Sequence, residues 1–378
     1  MFNKFKHFNS SKLFTFAILI PLGLTLLFHL STWYLITSKS ALVDKKIYKG
    51  DLARNIYKTS SLDPRASREP IPYVTLPKQH LRVNDWSSNK KVDLLTIGDS
   101  FSNSDTQGLN PYYQDYIESY QDLRVLNLPR KLNTTDNLFE TIIMYINNGL
   151  IDEIHPKYLL IEFVERHAIE MFARDFDFNK TTDINTVLNS FKDQKEVVLS
   201  EKLTFHIIND KNLKAFKNNL KFHFDVSKYG RFGGTYVKKM KKDFFTTPDS
   251  NSLLYYNLDV KNIAKSTDAN LKKLNENFNK LAEILKKKGI ELYFMPAVDK
   301  YDLYSKYIYN NKMPQSIFFE KLRKLPKEYT FIDTKKILHK ELDKGIQDIF
   351  YADDTHWSYK ASNAIFKQIK FNPTKGKE

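Results

Sequence analysis

Hydrophobic and polar positions along the chain fall into two regimes. The first is a single unbroken apolar run, LFTFAILIPLGLTLLFHLSTWYLIT from Leu13 to Thr37, with no Lys, Arg, Asp or Glu. A run of this length crosses a bilayer as a helix. Trp33 and Tyr34 near its end suit the interface, and one Pro (Pro21) and one neutral His (His29) are tolerated within it. The second regime begins near residue 91, where short apolar runs alternate with amphipathic segments. The apolar runs at Lys91–Ile97, Leu123–Leu128, YLLIEFVER after Pro156, Ile290–Met295 ending at Pro296, and YTFIDT read as strands. Helical spacing marks Asn110–Tyr120, Asp136–Asn148 with an Asp start signal, Leu271–Lys287 closed by Gly289, Pro314–Leu322 and Ala361–Ile369. Strands alternating with helices predict an α/β domain built on a parallel sheet.

These patterns divide the chain into a tail (1–12), a transmembrane signal anchor (13–37), a stem (38–90) and a folded domain (91–372). The stem carries Pro64, Pro70, Pro72 and Pro77. Between about 173 and 265 the alternation lapses into a stretch rich in Lys, Asn, Phe and Asp, with a turn-like YGRFGG at 229–234. This reads as an insertion, mainly helical, forming a lid or side wall.

Composition changes the picture in two ways. The absence of cysteine removes disulfides, thiolate metal sites and Cys nucleophiles. A formal net charge of +15 fits nucleic acid, an anionic membrane or an acidic polysaccharide equally well. The apolar run narrows that choice. Lysines flank it on both sides (Lys4, Lys6 and Lys12 before; Lys39, Lys45, Lys46 and Lys49 after), so charge alone does not orient it. A short tail before the run and a large domain after it place the tail in the cytoplasm and the domain outside, on a single-pass cytoplasmic membrane protein. Nucleic acid is then no partner, and the bilayer is one through residues 13–37.

Candidate chemistry lies in two short blocks. In LLTIGDSF (94–101) an apolar strand runs into a small, polar turn carrying Ser100. A serine hydroxyl needs a base, and the base works best when a carboxylate orients it. YADDTHWS (351–358) supplies both: Asp354 and His356 stand two apart just before the last helix. Ligands of open α/β sheets gather outside the carboxyl ends of the strands, where both blocks are expected.

GDSF at 98–101 and DTHW at 354–357 resemble the nucleophile and acid–base blocks of the SGNH (GDSL-type) superfamily. More narrowly, they resemble its membrane-anchored branch that O-acetylates alginate and other envelope polysaccharides. IEFVER (161–166) and MPAVDKYDLYSKYI (295–308) agree with it, and the likeness spans roughly 91–369. It implies a flavodoxin-like three-layer α/β/α domain, Ser100 as acyl-accepting nucleophile, His356 as base, Asp354 as its orienter, and neither metal nor cofactor. It further implies a polysaccharide acceptor and a membrane-bound O-acyltransferase as the partner that delivers acetyl groups.

The chain departs from the superfamily in the two blocks that complete the oxyanion hole. NLPRKLNTTDN has no glycine, and Glu165-Arg166-His167 stands where an asparagine is expected. Asn127, Asn133, Asn137 and Arg166 are the candidates for the missing donor, and Trp357 for the substrate wall. Arg166 serves equally as an ion-pair partner of Glu162 or Glu165. Asp353 has the general superfamily spacing to His356, Asp354 that of the acetyltransferase branch, and Asp354 is preferred. The same triad with water as acceptor would be a carbohydrate esterase. A chain keeping the fold without the oxyanion hole would be an anchored glycan-binding or scaffold protein.

Overall fold

A computed structural model describes residues 10–39, 42–43, 46–47, 51–52, 76–103, 112–132, 134–192, 217, 221, 224–247 and 250–371. Helix α1 (Ser10–Lys39) contains Pro21, and over Ser10–Ser31 it is long and apolar enough to cross a membrane, as a span or as a signal sequence. A short antiparallel pair, Leu42–Val43 with Lys46–Ile47, follows it.

Five strands form the central sheet: β1 (Leu94–Ile97), β2 (Val125–Asn127), β3 (Tyr158–Val164), β7 (Glu291–Ala297) and β8 (Thr330–Phe331). Their order in space is β8-β7-β3-β1-β2, and every pairing is parallel. All positions of β1 and β3 are buried, as expected of parallel strands covered on both faces, whose sequences are continuous rather than alternating. Register aligns Ile97 with Ile161 and Val164 with Ala297. Because the strands are parallel, the segments after Ile97, Val164 and Ala297 emerge at one edge. The helices α2 (Tyr113–Gln121), α3 (Leu138–Asn147), α4 (Glu165–Phe172), α6 (Asp268–Lys286), α7 (Thr334–Asp343) and α8 (Tyr359–Gln368) connect and cover these strands. Among them α2 packs on α8 and α4 on α6, while α6 and α7 both reach β7.

Three expected boundaries move for local reasons. The cap of α3 is Asn137 rather than Asp136: its side chain accepts from the N–H groups of Phe139 and Glu140, while Asp136 pairs with Lys131 at the surface. Pro296 does not end β7 but lies inside it, opposite Phe163. The short β8 pairs β7 only as far as Phe294, and beyond that point the Pro296 carbonyl accepts the Thr334 hydroxyl at 2.5 Å. A missing N–H costs nothing on that unpaired side. Between 173 and 265, helix α5 (Ile184–Lys192) is joined by a three-stranded antiparallel sheet, β4 (Arg231–Phe232), β5 (Thr235–Lys239) and β6 (Ser252–Tyr256), where mainly helix was expected. Gly233-Gly234 closes its first hairpin, pairing Phe232 with Thr235, and Gly233 takes φ +56°.

Candidate active site

The turn after β1 is held from two directions. The Asp99 carboxylate accepts the N–H of Phe101 at 3.0 Å and, through its other oxygen, the N–H of Val164 at 2.8 Å. This ties the turn to the end of β3. Beneath it, Ser102 donates to Glu162 Oε2 at 2.8 Å and meets the Tyr113 hydroxyl at 3.0 Å. Burial, with the nearby Asp99 charge, drives the Glu162 carboxyl well above the usual carboxylate range. Gly98 has no room for a side chain: an added Cβ would lie 2.1 Å from Ser102 Oγ, 2.4 Å from Glu162 Oε2 and 2.8 Å from the Glu162 carbonyl. Among the described residues, no hydrogen bond engages the Ser100 N–H.

The segment before α8 brings the second block to Ser100. His356 Nε2 lies 2.8 Å from Ser100 Oγ, and His356 Nδ1 lies 2.7 Å from Asp354 Oδ1. The same Asp354 oxygen accepts the His356 N–H at 3.0 Å, fixing the carboxylate beside its own loop. Ser100 and His356 stand 256 positions apart in sequence. Burial pushes the imidazole down, but the Asp354 carboxylate, helped by Asp51, outweighs it and holds His356 above its ordinary value of 6.5. Phe101 meets the His356 ring at 4.6 Å and the Trp357 ring at 4.7 Å, centroid to centroid.

The remaining candidates fall differently. Trp357 is 2% exposed and packs on Phe101, so it is core rather than substrate wall. Arg166 pairs with neither Glu162 nor Glu165. Its Nη1 lies 2.7 Å from Asp299 and 3.5 Å from Asp259, and these two buried carboxylates keep the guanidinium charged against the pull of burial. Asn127 donates to the Ser102 carbonyl at 3.1 Å, bracing the turn, and Asn137 is spent as a helix cap. Asn133 lies outside the described residues. Asp353 is buried and gives its carbonyl to the Leu52 N–H, and it is Asp354 that faces the imidazole.

Three participants gave little sign in sequence. Glu162 showed only as one acid inside an apolar run. Lys300, fully buried after β7, donates to the carbonyls of Tyr351 (2.6 Å), Ala352 (2.8 Å) and Asp354 (3.0 Å) and so shapes the loop that carries His356. Asp51, from the stem, accepts the Thr355 N–H at 2.7 Å and the Thr355 hydroxyl, with its Oδ2 3.9 Å from His356 Nδ1. Burial and the like charge of Asp354 raise the Asp51 carboxyl to about 6. Among the described residues, Asp51, Asp354 and His356 form the one trio of such side chains with ligand atoms within 4.8 Å of one another.

The chain matches no protein-family model, and a search of curated proteins finds none that matches it.

Proposed function

We propose that this chain is a membrane-anchored serine O-acyltransferase that moves an acetyl group onto a polysaccharide hydroxyl outside the cytoplasm. The observation that carries the reading is the continuous path Ser100 Oγ–His356 Nε2, His356 Nδ1–Asp354, assembled at the strand-end edge of a parallel sheet. Numbered along the chain, the five sheet strands stand in the order 2-1-3-4-5, the flavodoxin-like arrangement. That order supports a three-layer domain of the SGNH type over 91–372, with 173–265 as its insertion. Helix α1 supports anchoring, and the anchored topology supports acetyl delivery by a membrane-bound O-acyltransferase.

In the proposed reaction His356 takes the Ser100 proton as Oγ attacks the acyl carbonyl. The donor's leaving oxygen departs with that proton, leaving acyl-Ser100 and a neutral imidazole. His356 next takes the proton of the incoming sugar hydroxyl, which attacks the ester; Ser100 leaves and regains a proton from His356. Asp354 holds the imidazole in the tautomer that faces Ser100 and stabilises it when charged. The Ser100 N–H is one oxyanion donor.

The test is incubation with an acetyl ester followed by intact-mass measurement. An acetyl adduct should form on wild-type protein and be absent from Ser100→Ala, and a soluble glycan should discharge it faster than water does. Discharge at the same rate with and without glycan makes the chain an esterase; no adduct with any donor sinks the catalytic reading in favour of a scaffold. A C-terminal topology reporter active only in the cytoplasm would overturn the envelope setting.

A further inference from the structure

We propose that Asp51 is a positioning residue of the same site, so that a stem carboxylate next to the membrane anchor completes the catalytic loop. The inference rests on the triad reading above. Its basis is geometric. Asp51 holds Thr355 by both backbone N–H and hydroxyl, and Thr355 is the residue between Asp354 and His356. The next stem residue is fixed as well: the Leu52 N–H donates to the Asp353 carbonyl at 3.1 Å, and the Leu52 carbonyl accepts the Thr235 hydroxyl at 3.0 Å. Leu52 itself is buried against Val237 and Leu254 of the insertion's sheet. Two adjacent residues, Asp51 and Leu52, therefore hold Thr355 and Asp353, the loop residues on either side of Asp354, with Asp51 304 positions from Thr355 in sequence.

The clamp has an electrostatic side. The imidazole faces Asp354 and Asp51, with the Arg166 charge opposing them; Asp51 faces Asp354, His356 and Thr355. A carboxylate 3.9 Å from Nδ1 favours the charged imidazole that forms when Ser100 gives up its proton. It also sits shortly beyond Lys39, the end of α1; the chain between them reaches at most about 40 Å fully extended.

The experiment uses the full-length chain in detergent, with Asp51→Asn, Asp51→Glu and Thr355→Val variants. Two readouts are followed against pH: labelling of Ser100 by a fluorophosphonate, and the titration of His356 by NMR with ring-labelled histidine. In Asp51→Asn the His356 titration should move to lower pH, the acid limb of labelling should move with it, and the plateau rate should fall roughly tenfold. Asp51→Glu should restore part of the rate. Unchanged titration and labelling in Asp51→Asn would overturn the proposal, as would a rate loss with no movement of the His356 titration, which is what a merely structural contact gives. Should Asp51→Asn fail to fold, Thr355→Val keeps every charge and removes one of the two clamping bonds; it should slow labelling several-fold, and wild-type labelling would refute the clamp. Wild-type Ser100 that never labels defeats the acyltransfer reading, while the His356 titration still decides the role of Asp51.

Discussion

Replacing Gly98 with alanine tests the buttress beneath the turn that carries Ser100. The new methyl would meet Ser102 Oγ at 2.1 Å and Glu162 Oε2 at 2.4 Å, contacts that side-chain rotation could relieve only by breaking the bond between them. It would also meet the Glu162 carbonyl at 2.8 Å, and that atom belongs to β3 at the centre of the sheet. Restoring ordinary contact there requires the turn to lift by about half an ångström. Overpacking costs about 1–3 kcal/mol, and losing a buried hydrogen bond about 1–3 kcal/mol more. The expected destabilisation is therefore about 2–6 kcal/mol, a large share of the roughly 5–15 kcal/mol that holds a domain folded. Misplacing Ser100 relative to His356 by about half an ångström should slow acylation by about tenfold, given about 100-fold for 1 Å. Urea denaturation and the rate of acetyl-adduct formation measure the two effects. Adding Ser102→Ala should recover part of the stability but not all, since the β3 carbonyl stays in place. A Gly98→Ala protein with the wild-type urea midpoint and wild-type acylation would show that the turn is not packed against Glu162 as described.

Lys300→Met should cost roughly 3 kcal/mol or more in urea denaturation, because three buried carbonyls lose a shared charged donor. Its acylation rate should fall as well, since the loop that carries Asp354 and His356 loses its shape. Arg166→Ala removes the counter-charge shared by the buried Asp259 and Asp299, and a loss of about 3–5 kcal/mol is expected, against a smaller loss for Arg166→Lys. The pH dependence of activity and stability should run in opposite directions around His356. Its folded value is raised, so the charged pair with Asp354 stabilises the fold fully below 6.5 and ceases to do so as pH rises through the higher folded value. Acylation needs the neutral imidazole and should rise over that same interval; parallel trends, or a flat rate profile, would contradict the assignment of His356 as base.

The central sheet was legible in the sequence because its strands are buried on both faces and read as plain apolar runs between turn signals. Ser100, Asp354 and His356 were legible for a different reason: each sits in a short block whose neighbours restrict it, Gly98 by close packing and Asp354 by spacing. Arg166 could be singled out but not its partners, because Asp259 and Asp299 reach it only through the fold. The antiparallel sheet of β4, β5 and β6 was missed although Thr235, Val237 and the residues between them alternate buried and half-buried positions; the surrounding lysines masked the period. Asp51 left no local mark at all. A single acid in a stem acquires meaning only when a loop from the far end of the chain closes over it.

Lys300 places a cation at the centre of a ring of carbonyls, the arrangement by which loops in other settings hold a free metal ion. A diffusible ion orders such a loop by mass action, in proportion to its concentration, and a chelator undoes it. Here the charge is delivered by a side chain rooted at the end of β7. The loop bearing His356 is thereby ordered by a charge that is part of the chain itself and arrives as the sheet folds.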